Sequence, residues 1–88
     1  MSLDESVLAI CVNWNGGRVL LETVASVLES RVDQFDLKIT VVDNASSDDS
    51  TQRLRNEFPE VAVEPLSTNL GYGGALNAAV EAVRRRSS

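Results

Sequence analysis

Apolar residues recur along this chain in two rhythms. Three short runs are wholly or largely apolar: residues 7–12 (Val-Leu-Ala-Ile-Cys-Val), 37–42 (Leu-Lys-Ile-Thr-Val-Val) and 61–63 (Val-Ala-Val), the last able to extend to Leu66. Continuous apolarity over so short a length suits a strand covered on both faces, as in a parallel sheet. Between these runs the spacing changes to that of helices. Val19, Leu20, Val24, Val27 and Leu28 recur at helical intervals and predict a helix over residues 18–30, after the break at Gly16-Gly17. Ser46 or Ser47 can cap a second helix, with Asp48 and Asp49 in its first turn and Pro59 beyond its end near residue 58. Residues 67–71 read as a loop, and residues 72–86 as a last helix with Leu76, Val80 and Val83 on one stripe and small alanines nearby. The order is β-α-β-α-β-α. It predicts an α/β, three-layer, Rossmann-like half-domain: a parallel sheet of three strands in the order 3-2-1, with right-handed crossovers and helices on both faces.

Composition narrows the function classes. Eighty-eight residues make at most one small domain, and 43% hydrophobic with 24% charged residues argues for a packed core rather than disorder. A net charge of −5, spread along the chain, disfavours non-specific nucleic-acid binding. The one basic run, Arg84-Arg85-Arg86, falls where a helix ends and reads as its finish. The chain has no histidine, which excludes an imidazole base and His-ligated zinc, and its single Cys11 sits in an apolar run as packing material. No apolar run reaches the ~20 residues of a membrane span, and no secretory signal pattern opens the chain, so a cytoplasmic setting is expected.

The candidate chemistry lies where strands end in polar residues. Residues 39–42 lead into Asp43-Asn44-Ala45-Ser46-Ser47-Asp48, and residues 7–12 lead into Asn13-Trp14-Asn15-Gly16-Gly17. In open α/β sheets ligands bind outside the carboxyl ends of the strands. Side by side, two such tips would frame a nucleotide pocket: Asp43 or Asn44 to hydrogen-bond a base edge or ribose hydroxyl, Trp14 to stack on the base. The plain alternatives are turn-forming for Asp43 and Asn44, and packing under a loop for Trp14. A third feature, Asn69-Leu70-Gly71-Tyr72-Gly73-Gly74-Ala75-Leu76-Asn77, has three glycines in four positions, which free backbone N–H groups to face phosphate or simply let a helix pack closely. It fails the dinucleotide fingerprint, since Leu76 stands where the third glycine belongs, and there is no P-loop. Asp48-Asp49 reads as a helix start rather than a metal site, and no Asp-x-Asp occurs.

Taken in order and spacing, Val12-Asn13-Trp14-Asn15, Val42-Asp43-Asn44-Ala45-Ser46-Ser47-Asp48 and residues 69–77 resemble the amino-terminal, nucleotide-binding half of a family 2 glycosyltransferase of the GT-A fold. The variant is similar to rhamnosyltransferase-like members, which favour Asp-Asn at the second strand tip. The resemblance covers about residues 7–83. It implies that Val12 and Trp14 line the base, and that Asn15 belongs to the same nucleotide-sugar-binding set. Asn44 would contact the pyrimidine, and Asp43 would anchor the loop or the nucleoside. Asn69 and Gly71 would close beside the nucleotide, while Asn77 matches an Asn of the following helix.

The resemblance also implies what lies elsewhere. The family's metal-binding Asp-x-Asp, its catalytic base and its acceptor site would follow the last helix. Residues 1–88 are therefore expected to be the amino-terminal portion of a larger transferase. That protein would move a sugar from a UDP- or dTDP-sugar to an acceptor hydroxyl with a divalent cation, Mg or Mn, that this chain does not itself bind. No catalytic residue is assigned within the chain. The competing readings are a stand-alone nucleotide-binding or regulatory α/β module without catalysis, and a dehydrogenase fragment, which the failed glycine fingerprint disfavours. The first strand's free edge further predicts a homodimer.

Overall fold

The computed structural model describes residues 6–30 and 36–87. Six elements alternate in order: β1 (Ser6–Asn13), α1 (Gly17–Glu29), β2 (Asp36–Asp43), α2 (Ser50–Glu57), β3 (Ala62–Pro65) and α3 (Gly71–Ser87). The strands form one parallel sheet in the order β1-β2-β3, the expected arrangement. β1 pairs with β2 from Ser6↔Asp36 to Asn13↔Asp43, and β2 pairs with β3 from Thr40↔Ala62 to Asp43↔Pro65, so all three strands end together. Two right-handed crossovers in one direction put α1 and α2 on the same face. There Leu20, Leu21, Val24 and Leu54 pack on Ile39, Val41 and Val61, with Leu54 and Val41 wholly buried. α3 lies on the other face, with Ala75 and Ala79 against Val42 and with Ile10, Val12 and Leu66 around them.

Two local expectations are corrected. The second helix begins at Ser50, not near residue 47, and neither Ser46 nor Ser47 caps it; Asp49 occupies the cap position without a side-chain bond. The Ser46 hydroxyl instead accepts from the Asn15 amide and donates to Asp43, and the Asn15 carboxamide oxygen accepts from the Ser47 and Asp48 amides, which holds residues 44–49 in an irregular loop. On α3 the buried stripe is Ala75, Ala79 and Ala82, while Val80 is exposed and Leu76 and Val83 are half-buried. Small side chains bring the helix axis close to the sheet, so the larger ones are displaced to its flank. Val19 likewise points to solvent, and burial on α1 falls on Leu20, Leu21 and Val24.

The end of α3 is fastened by Arg86, whose Nη2 donates to Thr40 Oγ1 at 3.2 Å and whose Nη1 lies 3.6 Å from Glu64. The basic run thus does finish a helix, with Arg84 paired to Glu81 one turn back. The close approach of α3 makes Ala79→Leu an overpacking change, expected to cost about 1–3 kcal/mol and readable as a lowered urea midpoint with unchanged slope.

Candidate functional site at the strand tips

Two polar knots, one on each face of the sheet, are built from adjacent residues of β2 and its extension. Successive side chains on a strand point to opposite faces. Asp43 therefore points toward the α1 and α2 side, and Asn44 toward α3.

The first knot centres on Asn13, which is 3% exposed. Its Nδ2 donates to Asp43 Oδ1 (3.0 Å), Ser50 Oγ (2.9 Å) and Ser46 Oγ (3.2 Å), and its Oδ1 accepts from the Gly16 amide (3.1 Å). Asp43 also accepts from the Ser46 hydroxyl and amide. Ala45, with φ 63°, bends the chain so that Ser46 returns to Asp43. Above this lies Asn15, with φ 50°, whose Oδ1 accepts from the amides of Ser47 (2.7 Å) and Asp48 (3.2 Å) and whose own amide donates to Ser46 Oγ (2.9 Å). Gly16 must be glycine here, because a Cβ would collide with Asn13 Oδ1.

The second knot is Asn44, also 3% exposed. Its Nδ2 donates to Asn69 Oδ1 (3.1 Å) and to the Gly71 carbonyl (3.3 Å), and its Oδ1 accepts from the Leu70 amide (2.8 Å). Asn69 Oδ1 also accepts from the Gly71 amide at 2.7 Å. Gly71 has φ 73°, which a side chain would disfavour, and α3 starts from it. Asn44 thus latches the loop that launches α3 to the tip of β2.

Beside this latch opens a cavity of about 390 Å³ lined by Val12, Trp14, Asn44, Asn69, Gly71 and Tyr72. Trp14 and Tyr72 are 59% and 71% exposed and present aromatic surface to solvent. A larger hollow of about 530 Å³ lies at the opposite end of the sheet, among Leu8, Leu37 and Val61. Of these two, the smaller cavity is the candidate site, because it lies at the carboxyl ends of the strands and joins aromatic surface to converging polar groups.

Of the residues predicted from sequence, Val12, Trp14, Asn44, Asn69 and Gly71 converge on this cavity. Asp43 and Asn15 do not line it; both serve the first knot. Sequence reasoning passed over Asn13 and Tyr72. Asn13 was findable as the last residue of an apolar strand, inward-facing by alternation and in register with Asp43; Tyr72 had no signal beyond its place among glycines. Among the described residues no group of three His, Cys, Asp or Glu side chains could hold a metal ion. Asp43 accepts from Asn13, and Asp48 accepts from the Gly17 and Ser50 amides.

Asp48 supplies a pH-dependent tie. Its Oδ1 accepts from the Ser50 hydroxyl and amide and its Oδ2 from the Gly17 amide, and the Ser50 hydroxyl foremost holds its carboxyl below the ordinary aspartate value. A lowered folded value means this tie is complete above the ordinary pKa of ~3.9 and is lost as pH falls through the lower folded value. The Gly17 and Ser50 amide resonances should titrate together in acid, with a midpoint below that of free aspartate, and should not do so in Asp48→Asn. Burial pushes the Cys11 thiol up, away from reactivity.

The sequence was also compared with known proteins. No curated protein matches the chain. The family model described as glycosyl transferase family 2 matches residues 6–86, from the first described residue of β1 to the last turn of α3. The chain belongs to glycosyl transferase family 2, as a glycosyltransferase-type, nucleotide-sugar-binding part.

Proposed function

We propose that this chain holds the nucleoside of a UDP- or dTDP-sugar in the cavity between Trp14, Asn44 and the loop at residues 69–71. It would do so as the amino-terminal portion of a longer, rhamnosyltransferase-like, cytoplasmic transferase. The observation that carries this reading is the convergence of Val12, Trp14, Asn44, Asn69 and Gly71 around one opening, from segments far apart in sequence.

The chemistry suits a pyrimidine. Trp14 and Tyr72 offer π-surface, and stacking on an aromatic side chain is worth about 1–3 kcal/mol per base. Both amide hydrogens of Asn44 are engaged by the loop, but its Oδ1 has accepted only one bond, from Leu70. The remaining lone pair can accept the N3–H of uracil or thymine. A purine without that donor would leave it unmet. Asp43 and Asn15 act as positioning residues, since they hold the tip of β1 and therefore Trp14. The glycines in the first turn of α3 leave room for the diphosphate: a Cβ at Gly73 would meet nothing within 4 Å.

Transfer itself needs groups outside this reading. A divalent cation would neutralise the leaving diphosphate and a carboxylate base would activate the acceptor, and the longer protein would supply both. The part played by residues 1–88 is to bind and orient the donor.

Trp14 is the only tryptophan and so reports on its own site. UDP and dTDP are expected to quench its fluorescence saturably and ADP far less. Trp14→Phe should retain binding measured calorimetrically, and Trp14→Ala should weaken it about 5- to 150-fold, the loss of one stacked base. Equal binding of ADP and UDP would sink the pyrimidine assignment. The purified 88-residue chain should show no release of UDP from UDP-sugars when incubated with Mg or Mn and acceptor alcohols. Turnover above the rate without protein would overturn the division of labour proposed here.

A further inference from the structure

We infer that Asn15 is a covalent modification site: it cyclises with the Gly16 amide and converts to aspartate and isoaspartate whenever the tip of β1 opens. The inference is independent of the nucleotide site. Asn15-Gly16 is the only Asn-Gly step in the chain. A glycine amide is the least hindered nucleophile that can follow an asparagine, because no Cβ shields it. The reaction needs only water. The Gly16 nitrogen gives up its proton to solvent hydroxide and attacks Asn15 Cγ. The N–Cγ bond forms and the carbonyl electron pair moves onto Oδ1. The Cγ–Nδ2 bond then breaks, and Nδ2 leaves as ammonia with a proton taken from water. Water opens the resulting imide at either carbonyl. Opening at Cγ gives aspartate. Opening at the backbone carbonyl gives isoaspartate, whose main chain runs through the former side chain.

The folded tip supplies two of the three things this reaction requires. Asn15 Oδ1 accepts from the Ser47 amide at 2.7 Å and the Asp48 amide at 3.2 Å. Two N–H groups so placed stabilise the negative charge that attack puts on that oxygen. The leaving nitrogen is unencumbered: Asn15 is exposed, and among the described residues its Nδ2 donates no hydrogen bond. The nucleophile is what the fold withholds. The Gly16 N–H donates to Asn13 Oδ1 at 3.1 Å, which turns it toward a buried carboxamide and away from solvent base. The next amide, that of Gly17, donates to Asp48 Oδ2 at 3.1 Å, and Asn15 is fixed at φ 50°. The rate is therefore set by how often Gly16 leaves Asn13, which is a local opening rather than global unfolding.

The fold cannot easily discard this lability. Gly16 is kept free of a side chain because a Cβ would collide with Asn13 Oδ1. Asparagine suits position 15, since it tolerates positive φ and its carboxamide oxygen joins two amides of the facing loop. Aspartate at this position keeps both acceptor bonds. Isoaspartate does not: it adds one carbon to the backbone between residues 15 and 16 and leaves a carboxylate on Cα, next to Trp14. The Gly16 and Gly17 ties then lose their register, so conversion reshapes the strand tip that carries Trp14.

The purified chain, held at mildly alkaline pH and mapped by mass spectrometry and chromatography, is the test. Asn15 should convert at least about tenfold more slowly in the folded chain than in urea, because the reaction follows the open population. Asp48→Ala, at an exposed position, frees the Gly17 amide. It should speed conversion about tenfold, the loss of one bond to a charged acceptor, while circular dichroism stays native. Isoaspartate formation should shift the emission of Trp14, the only tryptophan. No conversion of Asn15 even in urea would show that it is not a modification site. Equal rates folded and in urea, or a folded Asp48→Ala chain that converts no faster, would overturn the strand tip as the gate. If Asp48→Ala does not fold, the ratio of folded to urea rates decides. Unchanged Trp14 emission in the isoaspartate form would overturn the reshaping of the tip.

Discussion

The carboxamide of Asn13 ties together both strand tips, the turn at Gly16 and the start of α2, and the geometry of the site follows from it. A buried amide without partners would cost roughly 1–3 kcal/mol for each unmet group. Here every described buried polar side-chain atom has a partner. The same bonds that avoid that cost also determine where the chain can go. Asn13 accepts from Gly16, so β1 must turn at once rather than continue. It donates to Asp43 and Ser50, so α2 must begin within reach of β1. The loop between them contains Ala45 in a left-handed conformation that costs about 1–2 kcal/mol for a residue with a Cβ. The hydrogen bonds of Asp43 and Ser46 on either side of it offset that cost.

From this follows a division of labour between neighbours. Asp43 and Asn44 differ by one residue and so by one face of the sheet. Asp43 is turned into the fold, where it fixes the loop beneath Trp14. Asn44 is turned toward α3, where it fixes the loop beside the cavity. A one-residue slip of β2 would exchange the two roles and bring the carboxylate to the latch, where the Gly71 and Asn69 oxygens would repel it. Eight paired positions with β1 and a fully buried Val41-Val42 hold the register against such a slip.

How much of this the sequence disclosed depends on the range of the interactions involved. The strand and helix order was legible because burial on both faces leaves a continuous apolar run, as in residues 7–12, and the helices carry their own period. The start of α2 was not, because Ser46, Ser47 and Asp48 look like capping residues to any local reading. Their partners Asn13, Asn15 and Gly17 stand 31–33 residues away. The buried stripe of α3 was misread for a similar reason. Hydropathy ranks Leu76, Val80 and Val83 above the alanines, but a helix crossing a sheet closely has room only for small side chains. For the site, the sequence marked the right segments but could not tell which of two adjacent polar residues faced the cavity. Alternation counted back from buried Val41 would have separated Asp43 from Asn44.

The alanine face of α3 has a consequence for the fold's energetics. Burying Ala75, Ala79 and Ala82 removes little apolar area from water compared with leucines at the same positions. The larger side chains that could have contributed stand beside the contact rather than in it. A domain of this length already buries a smaller fraction of its surface than a larger one does. Its second core, around Val42, is therefore thin, and the Arg86 contacts to Thr40 and Glu64 hold the far end of the helix that this core cannot. The near end is held by the hydrogen bonds of Asn44 from the tip of β2. Whatever occupies the cavity beside Asn44 thus acts on the less firmly packed of the two helical layers. A ligand that bridges Trp14 and the Gly71 turn would join that layer to the better-packed one, so binding at the strand tips and stability of α3 are physically linked.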